Sequence, residues 1–314
     1  MNHSNPTASP GSRRLIAPIL ALALGCSAQA QTLLYQWNFD NASGSGSSFT
    51  AAPSAGSGAL GTLTDLNGGP NPSAPAGSGL TGTAGDLALS QPAFGVSGAG
   101  AIGGLLGNLS SISAFTVSAW FNLNSTATNF SAYGSAGALN SRLFDIGNSS
   151  NGDGNRLYFA LNTGTNLQFG VNQAGSTGPI TGQQGTTSGA FSLFGNSSGS
   201  MTNNWIFVAG SYTAAQGGTV NLYVGSQTVA ASLVGSLTNV GLIAWEASGD
   251  YAYIGNRPSN GTRSLPGGID DVRLYDGAAD QNYISGVIQA VPEPAMPGLL
   301  GLGGALWAAC RRRR

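Results

Sequence analysis

The chain has 314 residues, of which only 7% are charged and 50 are glycine, while 41% are hydrophobic, enough for a core. Every basic residue is arginine, the one histidine is His3, and the two cysteines are Cys26 and Cys310, all three lying in terminal segments read below as addresses. What remains has neither histidine nor thiol, which excludes Ser-His-Asp and Cys-His nucleophiles, histidine or thiolate zinc sites, iron–sulfur clusters and disulfide scaffolds.

In chain order, Arg13 and Arg14 precede an apolar run at 15–24 (LIAPILALAL), and Ala28, Gln29 and Ala30 follow as a small-x-small cleavage site. Residues 1–30 therefore read as a secretory signal peptide cut after Ala30. From residue 31 to about 291 the chain carries five arginines against eleven acids, a net charge of −6. An acidic stretch without lysine does not hold a phosphate backbone, so nucleic acid is excluded as a partner. Residues 41–85 are rich in Gly, Ser, Ala and Pro with few large apolar side chains, and read as a long surface loop.

Beyond that loop apolar residues alternate with polar ones between Gly, Asn, Ser and Thr clusters, the pattern of half-buried strands. In 115–123 (FTVSAWFNL) Phe115, Val117, Ala119, Phe121 and Leu123 share one face. Segments 157–161, 167–171, 205–212 and 220–224 repeat the pattern, and the soft stretch 175–200 joins two strands. Asp280 is placed to cap one short helix over 280–288. The fold class expected is all-β, a sandwich of two antiparallel sheets over 31–290.

The order of these segments resembles the LamG-like family of the concanavalin A-like lectin/glucanase superfamily. The matching pieces are YQWNFD at 35–40, FTVSAWF at 115–121, WIFVAGSY at 205–212, VNLYVG at 220–225, YIG at 253–255 and GIDDVRLYD at 268–276. The resemblance implies a concanavalin A-like jelly roll and a tendency to bind carbohydrate; it does not by itself imply catalysis. It also treats Trp37 and Trp205 as core positions.

Glucanases of that superfamily carry catalytic carboxylates as Glu-x-Asp-x-x-Glu on one strand. This chain has two glutamates, Glu246 and Glu293, and Glu246 with Asp250 reads as a turn. A carboxyl pair for glycoside hydrolysis is not assignable, so no enzyme activity is expected. Calcium is a better use of the acids. With Val272 and Leu274 inward, alternation puts Asp270 on the core side and Asp271 outside, and an inward carboxylate needs a cation or hydrogen bonds. The resemblance implies a structural Ca2+ between first and last strands, from Asp40 and Asp270; the competing reading has Asp270 capping backbone amides and Asp40 starting a turn. The loop Asn151-Gly152-Asp153-Gly154-Asn155 misses EF-hand spacing and reads as a turn.

Aromatics on otherwise polar faces are the candidates for stacking on sugars. Trp120 has the polar face-mates Thr116, Ser118 and Asn122, and Tyr251 and Tyr253 share a face near Trp245. The alternative for each is packing under a loop or at an edge.

The C-terminus runs Val291, Pro292, Glu293, Pro294, then the apolar stretch 296–310 and four arginines at 311–314. This order resembles the PEP-CTERM sorting signal of Gram-negative bacteria, which implies an exosortase-type processing enzyme acting at Pro292, Glu293 and Pro294, with the arginines kept inside. Fifteen residues are short of the about 20 that span a bilayer, so the expected membrane contact at the inner membrane is transient. Segment 291–314 is thus an anchor, and the mature domain is expected at the cell surface or in the exopolysaccharide matrix. There it either binds a polysaccharide or cell-surface glycan or serves as a structural spacer.

Overall fold

The alternating segments form antiparallel strands throughout. The computed structural model describes residues 31–56, 62–65, 72–91, 100–106, 109, 112–123, 141–147, 155–162, 166–171, 184–187, 204–243, 245, 251–256, 264–265 and 267–290. The signal peptide with Ala30, the Asp153 loop, and the terminal segment with Pro292, Glu293, Pro294 and 296–310 lie outside these residues. Among the described residues no helix is long and apolar enough to cross a membrane.

The early strands are β1 (Thr32–Trp37), β2 (Thr50–Ala51), β3 (Ala55–Gly56), β4 (Leu63–Asp65), β5 (Leu89–Gln91) and β6 (Ala101–Leu105). Then come β7 (Ala114–Leu123), β8 (Ser141–Gly147), β9 (Asn155–Asn162), β10 (Asn166–Val171) and β11 (Gln184–Thr187). The last are β12 (Ile206–Thr213), β13 (Thr219–Ser226), β14 (Ser232–Thr238), β15 (Tyr251–Ile254) and β16 (Gly267–Asp276). One sheet has the order β14-β13-β12-β7-β16-β1-β3, with β5 also paired to β16; the other runs β11-β10-β9-β8-β15-β6-β4-β2. First and last strands are neighbours, Trp37 opposite Val272 and Tyr35 opposite Leu274.

The main core fills the space between the sheets, with Trp37, Val117, Phe121, Val208 and Leu222 from the first and Phe144, Phe159, Phe169 and Ile254 from the second. These are the alternating positions read from the sequence. A second, separate cluster covers the opposite face of the first sheet: Trp120, Phe207, Tyr223 and Tyr275 meet Leu80 from the 72–91 segment and Ile284 and Ile288 from the C-terminal helix. That helix is a turn at Gln281–Tyr283 running into a wider π-helical turn at Ile284–Ile288, and Asp280 caps it by accepting the Tyr283 amide at 2.8 Å.

The stretch expected as a surface loop behaves differently. Residues 41–85 supply β2, β3 and β4, and bury Phe49, Leu63 and Leu80. Few apolar residues suffice because Phe49 and Leu63 anchor in the main core and Leu80 in the second cluster. Within 175–200, strand β11 pairs with β10.

Candidate functional site

The outer face of the second sheet is built by register. Tyr253 lies opposite Asp145, and Asp145 opposite Tyr158, so the three project together. Arg142 lies opposite Ala160, and Ala160 opposite Gln168. Strict alternation would put Arg142 with Phe144 and Ile146, but the register shifts between Arg142 and Phe144. This bulge turns Arg142 to the side of Asp145, and the two pair at 3.4 Å (Nε to Oδ2). The guanidinium also sits 3.9 Å over the Tyr158 ring, a cation–π contact. Gly170 makes this possible, because a Cβ there would stand 2.4 Å from the Tyr158 ring. Arg142, Asp145, Tyr158, Gln168 and Tyr253 are all buried, and Tyr251, at 6.5 Å from the Tyr253 ring, is half-buried. The face therefore combines three tyrosine rings, of which Tyr251 and Tyr253 are tilted to each other by 44°, with a planar cation, a carboxylate and an amide on one side of a sheet. Of these only Arg142 is hidden from an alternation pattern, by the bulge; Asp145, Tyr158 and Gln168 sit at outward positions of their strands, and only the pairing of β8, β9 and β10 brings them together.

The other aromatic candidates fall elsewhere. Of the two readings of Trp120, stacking on sugars or packing under a covering segment, the structure has the second: it is fully buried, 0% exposed, and tilted against Phe207 at 5.2 Å between ring centres. The polar face-mates misled: Thr116 donates to the Gly277 carbonyl and accepts the Ala279 amide, binding the chain that covers the sheet. Trp120 is thus a packing residue of the second cluster. Trp245 packs edge-on against Phe115 at 5.8 Å, on the core side, so it does not join Tyr251 and Tyr253 on their outer face.

The acids gather at one end of the first sheet. Asp270 was expected on the core side, but it lies opposite Trp120 and so belongs to the outer face. Strand β16 is flanked first by β5 and then by β1, and the register shifts between Asp270 and Arg273 where the change occurs. Asp271 adopts φ +46° at this bulge, and Phe39, next to Asp40, adopts φ +57°; both are left-handed conformations disfavoured for residues with a Cβ. Asp270 accepts the Leu80 amide at 2.9 Å and the Asp271 amide at 2.6 Å. Burial pushes its carboxyl well above the ordinary carboxylate range; the Leu80 amide opposes this, and the charges of Asp86 and Asp271 add to it. Asp271 accepts from Gln36 at 2.6 Å and pairs with Arg273 at 2.6 Å. Asp40 is exposed as a residue, yet partial burial of its carboxyl raises its pKa, against the Leu87 amide, with Asp86 and Asp271 raising it further. No hydrogen bond joins Asp40 to Asp270; they share Asp86 and Asp271 as electrostatic neighbours.

Among the described residues four acidic side chains, Asp40, Asp86, Asp270 and Asp271, gather here with the guanidinium of Arg273, and oxygen ligands of this kind suit a hard divalent cation. However, the bonds from Leu80 and Asp271 already satisfy Asp270, and among the described residues no three Asp, Glu, His or Cys side chains converge as a metal site.

With this geometry in hand, comparison with known proteins decides the family. The Laminin_G_3 family of the concanavalin A-like lectin/glucanases superfamily matches residues 95–285. The chain belongs to it. Among curated proteins none matches the sequence. Among solved structures the domain is similar to the binding domain of Paraclostridial Mosquitocidal Protein 1, at 15% identity and a TM-score of 0.51, over 81% of this chain and 51% of that one. The chain thus spans about half of that structure, and at this identity the likeness concerns the fold. Weaker likenesses are to the heptameric SAP-like pentraxin of Limulus polyphemus (15% identity, TM-score 0.37, 56% of this chain and 70% of that one) and to a Trypanosoma rangeli sialidase (14%, 0.45, 81% and 32%).

Proposed function

We propose that this Laminin_G_3 chain is an exported, non-catalytic module that binds or adheres to polysaccharide at the cell surface or in an exopolysaccharide matrix. The observation that carries the reading is Tyr251, half-buried at the outer side of the second sheet and backed by the buried Tyr253, Tyr158 and Arg142, which hold its surroundings in place. Aromatic rings with polar groups at their edges are what sugar rings stack on. A carboxylate in that array, Asp145, is held by Arg142 as an ion pair, an arrangement for charge balance rather than for proton transfer to a glycosidic oxygen.

The proposal includes a signal peptide cut after Ala30 and exosortase-type processing at Pro292, Glu293 and Pro294, with only transient contact between the apolar tail and the inner membrane. It includes a structural calcium at the Asp40 and Asp270 end, supported by the acidic side chains gathered there; the ion would add to what the amides already hold.

A second reading, a structural spacer of the matrix, is favoured by the burial of Trp120. Retention of the exported protein in polysaccharide-loaded native gels, with calcium and with chelator, separates the two. Slowed migration in any polysaccharide supports binding; unchanged migration across a panel of neutral and acidic polysaccharides supports the spacer.

A further inference from the structure

We propose a second saccharide subsite, on the first sheet, in a cleft beside the turn between β13 and β14. It rests on the glycan-binding reading of the domain but on different residues.

The cleft, about 260 Å³, is lined by Asn204, Trp205, Ile206, Ser226, Gln227 and Thr228, with Val229 at its rim. It lies below the about 300–1,000 Å³ usual for drug-sized ligands, so it suits one ring rather than an oligomer. A second depression of about 360 Å³ shares Ser226, Gln227, Thr228 and Val229 and continues to Ser285, Gln289 and Ala290. None of these lining residues is charged. Among the described lining residues a phosphate, a carboxylate or an ammonium finds no counter-ion, whereas a neutral sugar finds hydroxyl and amide partners with an apolar wall.

The chemistry of each part fits that ligand. Trp205 is the wall: 9% of it is exposed, against 0% for Trp37 and Trp120. Its benzo edge is seated against Gly268, where an added Cβ would stand 3.0 Å from the ring, so a side chain there would push the indole. Gln227 donates its amide to the Leu80 carbonyl at 2.9 Å, which fixes the side chain and leaves its carbonyl oxygen as an acceptor. Asn204 is exposed and brings both a donor and an acceptor to the rim. Val229 is 50% exposed, an apolar edge between the two depressions.

The turn is also held still. The Ser226 hydroxyl accepts the amides of Thr228 and Val229. From beneath, Gln289 donates to the carbonyls of Ser226 at 2.7 Å and Val229 at 2.6 Å and accepts the Ala231 amide. A buried side chain from 60 residues away thus fixes a solvent-exposed turn. Such pre-organisation lowers the ordering cost of binding.

The test is amide-resolved NMR titration of the exported protein with maltoheptaose, laminarihexaose and cellohexaose, and with oligogalacturonate as the charged counterpart. Concentrations reach about 10 mM, since a single ring site is expected near millimolar Kd. The proposal predicts shifts at 204–206 and 226–229 with at least one neutral oligosaccharide and weaker ones with oligogalacturonate. Asn204→Ala and Val229→Asp, both on exposed side chains, should keep the native spectrum and weaken this binding about three- to tenfold, the equivalent of one hydrogen bond. Tyr251→Ala should leave these shifts in place. Shifts confined to the neighbourhood of Tyr251 and Tyr253 would overturn the second subsite while leaving the domain's glycan binding intact. Shifts at 204–206 that neither variant weakens would also overturn it, and the absence of shifts anywhere would overturn both.

Discussion

Replacing Trp120 with alanine should destabilise the domain rather than blunt its binding. A tryptophan buries about 150–250 Å² and burial contributes about 25 cal/mol per Å², which gives roughly 4–6 kcal/mol. Truncations of large core aromatics cost about 3–5 kcal/mol, the cavity included. One feature works the other way: the Trp120 Nε1–H is buried without an acceptor, and an unsatisfied donor costs about 1–3 kcal/mol that the variant recovers. The net expectation is a loss centred on about 2 kcal/mol and at most about 4 kcal/mol. Trp120→Phe keeps the contact with Phe207, removes the unpaired N–H and should lose less than half as much. Urea unfolding followed by circular dichroism reads both variants, with unchanged m values confirming an unchanged fold. A Trp120→Ala protein as stable as the wild type, yet no longer retained by polysaccharide, would refute the packing assignment and return Trp120 to the binding surface.

Three other outcomes are expected. Asp270 has a raised pKa in the folded protein, so the native state binds its proton more tightly than the unfolded chain does. Stability should therefore fall as pH rises from the unfolded carboxylate value of 3.8 through the folded value, and Asp270→Asn should flatten that slope in urea melts taken across pH. In the same two proteins, calcium at a hundredfold excess over Kd should add about 2.7 kcal/mol to the wild type and little to the variant; a melting temperature indifferent to chelation removes the ion. Gln289→Ala should cost about 2–3 kcal/mol by freeing two carbonyls and one amide of the 226–231 turn, and hydrogen exchange should show Ala231 losing protection. Mass spectrometry of protein recovered from cells should find an N-terminus at residue 31 and no Arg311 to Arg314; a mature surface protein that retains them contradicts the sorting proposal.

The strand pattern was legible because two packed sheets impose a period of two, and Phe115, Val117, Ala119 and Phe121 keep it without interruption. The bulges were not. At Arg142 to Phe144 and at Asp270 to Arg273 an extra residue reverses which side the chain faces, which hides the outward turn of Arg142 and puts Asp270 on the opposite face from the one its alternation predicts. Trp120 shows a different limit. Its face-mates Thr116 and Ser118 are polar, yet they are buried under Leu80, Ile284 and Ile288, which arrive from far along the chain. Polarity along one strand reports its own residues and not the layer above. The same holds for the cleft at Trp205, assembled from segments 204–206 and 226–229. The Asp280 cap, by contrast, was readable because capping is local.

The claim that matters most is that a glycan stacks on Tyr251, the half-buried ring at the outer side of the second sheet. A glycan array probed with the wild-type protein and with Tyr251→Ala tests it most directly, since Tyr251 is half-buried and its loss should spare the core. The account predicts a defined set of bound glycans for the wild type and signals about tenfold lower for the variant, in keeping with roughly 1–1.5 kcal/mol from one aromatic contact. A wild-type protein that binds nothing, or a variant that binds the same glycans equally well, would contradict it.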